Sequence, residues 1–189
     1  MKNIIATVLM TMMFSLSTSV YAMKCKVNEE GVALIKHYEG FKAKAYLDHG
    51  SDRWAVGYGS QASHYKITSK TVWSKEKADK VLRNELNERA ATLCKYITAP
   101  ITENQLAALV SISYNIGTGR LLKSSIFKYI NENKPKKAAN GFMQYVRAKG
   151  QVLRGLKFRR KLEKTLFSTP DFIHINITAT ADEIYRGRG

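Results

Sequence analysis

Two carboxylic acids, Glu39 and Asp48, stand nine residues apart in the stretch from His37 to Ser60. A pair of carboxyl groups can cleave an acetal bond held between them. One protonates the leaving oxygen, and the other activates water or stabilises the developing positive charge. The spacing alone leaves a plainer reading open, a surface Glu followed by a turn Asp. The local pattern places the two acids on different elements. Glu39 closes an amphipathic run whose apolar positions are Val32, Leu34 and Ile35, and Gly40 follows at once, a common helix stop. Asp48 opens the polar turn His49-Gly50-Ser51-Asp52. Beyond it, Trp54, Val56 and Tyr58 alternate with Ala55, Gly57 and Gly59 at the period of a strand. One acid is thus expected at a helix end and the other at a nearby hairpin.

The elements that must hold them follow in order. A helix is read from Lys24 to Glu39, then the hairpin, then a polar and irregular stretch from Ser60 to Thr71. Ser74 caps a long helix with the stripe Val81, Leu82, Leu86, Ala90 and Leu93, and Pro100 ends that region. Thr102 and Gln105 form a capping box ahead of Leu106, Leu109, Val110 and Ile112, and Gly117 and Gly119 stop this second helix. Because it is apolar on nearly all faces, it is the expected buried centre. Short helices are predicted over Ser125–Asn131 and Lys136–Val146, and another over Leu153–Phe167. In the tail, Phe172, Ile173, Ile175 and Ile177 are interleaved with polar residues and read as a short strand or a sticky tail, with residues 186–189 as a disordered end.

Composition narrows the class. With 44% hydrophobic and 10% aromatic residues, the 189-residue chain is a globular protein able to bury its own core. Its net charge of +16 suits polyanions, whether nucleic acid, anionic lipid or a bacterial envelope. Lys2, the apolar run from Ile4 to Leu16 and Val20-Tyr21-Ala22 read as an export signal, with an uncleaved signal-anchor as the alternative. Export would give Cys25 and Cys94 an oxidising compartment in which to pair. Two unpaired thiols are the other reading. The four His are scattered and neither Cys has a nearby ligand partner, so no metal site is expected.

Six islands then align. They are Glu39-Gly40-Phe41, Ala45-Tyr46-Leu47-Asp48, Trp54 to Ser60, Gln105 to Ser111, Tyr114-Asn115-Ile116-Gly117 and Gly155 to Glu163. In that order and spacing the chain resembles the phage-type lysozymes, the endolysins of glycoside hydrolase family 24, over residues 27–167. The resemblance implies an α+β, mainly helical fold, with a small hairpin-bearing lobe, a larger helical lobe around a buried helix and the cleft between them. It implies a muramidase that cleaves the β-1,4 bond between N-acetylmuramic acid and N-acetylglucosamine in peptidoglycan, with Glu39 as general acid and Asp48 as second carboxylate. Residues 1–22 would be the signal, 23–167 the catalytic domain and 168–189 an extension.

The resemblance also implies roles around the acids. Ala55, Tyr58, Ser60, Asn115 and Arg159 fall at substrate-binding or supporting positions. The family usually places Thr where this chain has Ala55, and that hydroxyl helps hold the attacking water. Ser60 replaces a frequent His. Arg159 or Arg160 would ion-pair near the acid, surface charge being the alternative. Asn115 would line the cleft floor or else cap the helix. The expected partners are peptidoglycan strands, the anionic envelope and, transiently, the Sec export machinery. Neither nucleic acid nor a cofactor is expected, and the chain is read as a monomer in the periplasm or outside the cell. Two further readings stay open. One is a weakened scaffold that binds glycan or another partner. The other is a lytic transglycosylase, which needs an acid but no positioned water.

Overall fold

The computed structural model describes residues 25–48, 51–61 and 63–187. The expected export segment, His49, Gly50 and residues 188–189 lie outside the described residues. Uninterrupted apolarity sets the centre. In α3 (Glu103–Ile116) every residue from Leu106 to Ser113 is buried. Its start is fixed by a capping box in which Gln105 N donates to Thr102 Oγ1 and Thr102 N donates to Gln105 Oε1. Around it pack α1 (Glu29–Glu39), α2 (Lys75–Cys94) and α7 (Arg154–Ser168). Helix α1 begins later than its residue pattern suggests, because Asn28 caps it by accepting from Gly31 N. It lies tight on α3. A Cβ at Gly31 would stand 2.7 Å from Ala107 Cβ, so only glycine allows this approach. Helix α2 turns Leu82, Leu86, Ala90 and Leu93 wholly inward. The pairs Lys36–Asp79 and Arg83–Glu29 tie it to α1.

The small sheet grows from the end of α1. Gly40 has φ of 65°, a left-handed turn that costs a glycine little, and its N–H closes the helix on Lys36 O. The chain then enters β1 (Lys42–Asp48), which pairs antiparallel with β2 (Arg53–Gly57), which pairs with β3 (Ser60–Gln61). In this register Ala55 faces Tyr46 on one side and Gln61 on the other. Together with the helices this makes an α+β, mainly helical fold.

Beyond α3 come α4 (Thr118–Leu122), α5 (Ser125–Asn131) and α6 (Pro135–Gly141). Gly117 ends α3, but α4 starts directly after it. The predicted helix to Val146 stops at Gly141. A Cβ there would stand 2.8 Å from Ile126 Cγ1, and the chain tightens into one 3₁₀ turn over Phe142–Gln144. It then forms a small hairpin, β4 (Arg147–Ala148) and β5 (Gln151–Val152), across Lys149 and Gly150. Both turn residues have positive φ, as in a type I′ turn.

The tail corrects the strand expectation. Phe172 is 84% exposed and Ile173 46%, while Ile177 and Ala181, four apart, are buried on α8 (Ile177–Arg186). Helical spacing wins because α1 and α7 offer a surface for one helix face. Asn176 caps α8. Asp171 accepts from Glu103 N and Asn104 N, placing a carboxylate on the N-terminus of α3. Cys25 and Cys94 form a disulfide with Cα atoms 6.1 Å apart, closing a loop of sequence separation 69. Replacing both cysteines by Ser should lower unfolding stability by about 4 kcal/mol in urea denaturation, following the entropy of a loop this long.

Candidate active site

Glu39 ends α1, and its Oε1 accepts from Arg159 Nη1 at 2.7 Å. Among the described residues Oε2 has no hydrogen-bond partner, and the side chain keeps 24% exposure. The arginine is fixed from behind. Its Nε stands 3.2 Å from Glu163 Oε1, its Nη2 donates to Ser111 O at 3.4 Å, and its guanidinium lies 5.3 Å from the Tyr38 ring centre.

Glu163 is fully buried. It accepts from Ser111 Oγ at 2.7 Å and from Arg160 Nη2 at 3.1 Å, and Arg160 Nε stands 2.9 Å from its Oε2. The spacing of α7 creates this cluster, since Arg159 and Arg160 lie four and three residues before Glu163 on one face. Burial pushes the Glu163 carboxyl up and the Arg160 guanidinium down, each opposed by the charge of the other. Burial also works against the charge on Arg159, but the Glu163 and Glu39 carboxylates outweigh it and hold Arg159 above its ordinary range. Both arginines are buried rather than surface charges.

Asp48 ends β1. Its Oδ2 accepts from Ser51 Oγ at 2.7 Å and from Gln61 Nε2 at 3.3 Å, and the same Nε2 reaches Ser51 Oγ at 3.2 Å. The β1–β2 turn brings Ser51 back to Asp48, and β3 delivers Gln61. One phenol reports on both acids. The Tyr46 hydroxyl is pushed up by burial, then by the negative charges of Asp48 and Glu39, so both carboxylates lie within electrostatic reach of it.

A cavity of about 740 Å³ adjoins this region, lined by Ser60, Gln61, His64, Glu85, Arg89 and Tyr114 among others. The Tyr114 hydroxyl donates to Tyr58 O at 3.0 Å and approaches Glu85 Oε2 at 3.3 Å. Its acidity is suppressed by burial, then by the charges of Glu85 and Glu39. Of the positions expected from sequence, Ala55, Tyr58 and Ser60 are at most 3% exposed. Ala55 and Tyr58 are therefore backing rather than contact surface, while Ser60 reaches the cavity wall. Asn115 is exposed within α3, and its Oδ1 accepts from Arg160 Nη2 at 3.1 Å. Among the described residues no three His, Cys, Asp or Glu side chains gather as a metal site needs.

Sequence reasoning passed over Gln61, Ser51, Tyr46, Ser111 and Glu85. Ser51 was within reach of it, because a serine three after a turn Asp is a turn partner. Gln61 becomes visible only once the β2–β3 register is known.

A buried central helix with a small hairpin-bearing sheet following α1 defines a lysozyme-like fold. The phage lysozyme family model matches residues 36–163, and the chain belongs to that family. It is 37% identical over 144 residues to an endolysin of Bacillus phage B103, covering 76% of this chain and 54% of the relative. An endolysin of Acyrthosiphon pisum secondary endosymbiont phage 1 is 34% identical, with 76% and 98% covered. Among solved structures, the muramidase domain of SpmX from Asticaccaulis excentricus superposes with a TM-score of 0.70 at 33% identity, covering 77% of this chain and 99% of that one. The chain spans about half the length of the Bacillus phage endolysins it matches.

The Arg159–Glu163–Arg160 cluster makes a direct prediction. Glu163→Gln leaves two buried guanidinium groups facing a neutral amide, and stability should fall by about 3–5 kcal/mol. Urea denaturation checks this.

Proposed function

We propose that this chain is an exported muramidase that hydrolyses the β-1,4 bond between N-acetylmuramic acid and N-acetylglucosamine in peptidoglycan, acting as a phage or prophage endolysin. The observation that carries the reading is the contrast between the two acids. Glu39 stands at a helix end against a buried arginine, while Asp48 sits in a polar hairpin turn held by Ser51 and Gln61. Family membership supports a peptidoglycan hydrolase.

In the proposed reaction Glu39 gives its proton to the glycosidic oxygen as the bond from that oxygen to the anomeric carbon breaks. Water attacks the same carbon from the opposite face and gives a proton to Asp48, which inverts the configuration. The two acids exchange roles as proton holders, and solvent returns them to their starting states. Arg159 holds the Glu39 carboxyl in one orientation, a geometric contribution that costs nothing at the moment of reaction. The basic surface fits a wall substrate, because positive charge concentrates a protein on an anionic polymer.

Export is part of the proposal. The paired cysteines are at home in an oxidising compartment, the periplasm or the exterior. Among the described residues no helix is long and apolar enough to cross a membrane. N-terminal sequencing of secreted protein should begin within a residue or two of Met23, whereas retention of residues 1–22 would indicate a tethered form.

Ala55 gives the second reading its footing, because a methyl group cannot hold water. A transglycosylase would leave anhydro-muramic ends, and a binding scaffold would leave the glycan intact. Wall lysis measured as turbidity loss on purified peptidoglycan should fall by at least about 10²-fold in Glu39→Gln. Asp48→Asn should be similarly impaired. Lysis unchanged in Glu39→Gln would remove the site assignment.

A further inference from the structure

We infer that Gln61 is the residue that positions the attacking water, supplying the polar group that Ala55 lacks. The inference rests on the hydrolase reading of Glu39 and Asp48. Ala55 and Gln61 are directly opposed in the antiparallel β2–β3 pair, and opposed side chains stand on the same face of the sheet. Ala55 is 1% exposed and offers only a methyl group. Gln61 crosses from that position to the second carboxylate, with Nε2 at 3.3 Å from Asp48 Oδ2 and 3.2 Å from Ser51 Oγ. Ser51 Oγ itself donates to Asp48 Oδ2 at 2.7 Å. The three groups form a closed ring in which each donor is directed inward.

That ring fixes the amide. Its NH₂ end faces a carboxylate and a hydroxyl acceptor, so its carbonyl end, Oε1, must face away as an acceptor. Gln61 also lines the cavity beside the site. Water has two hydrogens and attacks through a lone pair. Giving one hydrogen to Asp48 and the other to Gln61 Oε1 would leave a lone pair directed at the anomeric carbon. A single carboxylate holds a water at one point and leaves it free to rotate. A second acceptor removes that freedom, and misplacement by about 1 Å can cost 10²-fold in rate. Gln61 is thus a positioning residue that acts through water, and Ser51 keeps its amide from turning over.

The test is a double-mutant cycle between the paired positions on soluble peptidoglycan fragments, with thermal unfolding as the folding control. Gln61→Ala should lower kcat about 10- to 100-fold with KM nearly unchanged. Ala55→Thr alone should change kcat by less than about threefold, because the place is already served. Combined with Gln61→Ala, the threonine hydroxyl at the opposed position should recover at least about fivefold in kcat, a non-additivity that a merely structural role would not give. Gln61→Leu, which keeps the side-chain length, serves if Gln61→Ala unfolds, and should lose as much.

A loss confined to KM would make Gln61 a substrate contact and overturn the inference. Full activity in both Gln61 variants, or no rescue by Ala55→Thr, would overturn it as well. Glu39→Gln in the same assay separates the two claims. If it abolishes cleavage while Gln61→Ala and Gln61→Leu do not impair it, this inference falls and the hydrolase reading stands. If the unaltered protein cleaves nothing, both fall.

Discussion

Three helices meet at one buried charge cluster, and the position of the catalytic candidate depends on it. Glu163 is fully buried on α7, yet it serves Arg159, Arg160 and Ser111 at once. Taking these charges out of water is costly, and their mutual attraction offsets the cost only where the geometry satisfies them. Here the helix supplies that geometry, because positions three and four residues before Glu163 share its face. Through Arg159 the cluster reaches α1 and holds Glu39. Through Arg160 it reaches Asn115 near the end of α3, and Ser111 anchors it to the apolar centre. The acid is placed by buried structure rather than by a loop.

The second acid has the opposite setting. Asp48 lies half-buried at the end of β1, and its partners include a hydroxyl and an amide. The two carboxyls thus stand in different settings, one pinned by a buried cation and the other held in a polar turn. Charge elsewhere serves another end. The chain carries +16 overall, while the cavity wall sets Glu85 and Glu88 beside Arg89 and His64. The positive balance suits the anionic wall polymer proposed as substrate.

Much of this was legible in the order of residues. The helix ending at Glu39 and the turn beginning at Asp48 depend on local signals, an apolar stripe, Gly40 and a polar turn. The central helix was legible because Leu106 to Ile112 leaves no polar face. The pairing of Arg159 with Glu39 joins positions 120 apart in the chain, and spacing within α7 does not identify the partner. Gln61 was invisible for a similar reason, since its importance comes from standing opposite Ala55. The tail misled because Phe172, Ile173, Ile175 and Ile177 happen to alternate. The competing helical set of Ile177, Ala181 and Ile184 acquires meaning only when α1 and α7 are there to receive it.

The central claim is that Glu39 delivers a proton to a glycosidic oxygen while water, held at Asp48, completes the cleavage. Digestion of purified peptidoglycan in ¹⁸O-labelled water, read by mass spectrometry of the released fragments, tests it most directly. The account predicts one labelled oxygen at the new reducing muramic end of each fragment, and loss of these products in Glu39→Gln. Unlabelled anhydro-muramic ends, or labelled products undiminished in Glu39→Gln, would contradict it.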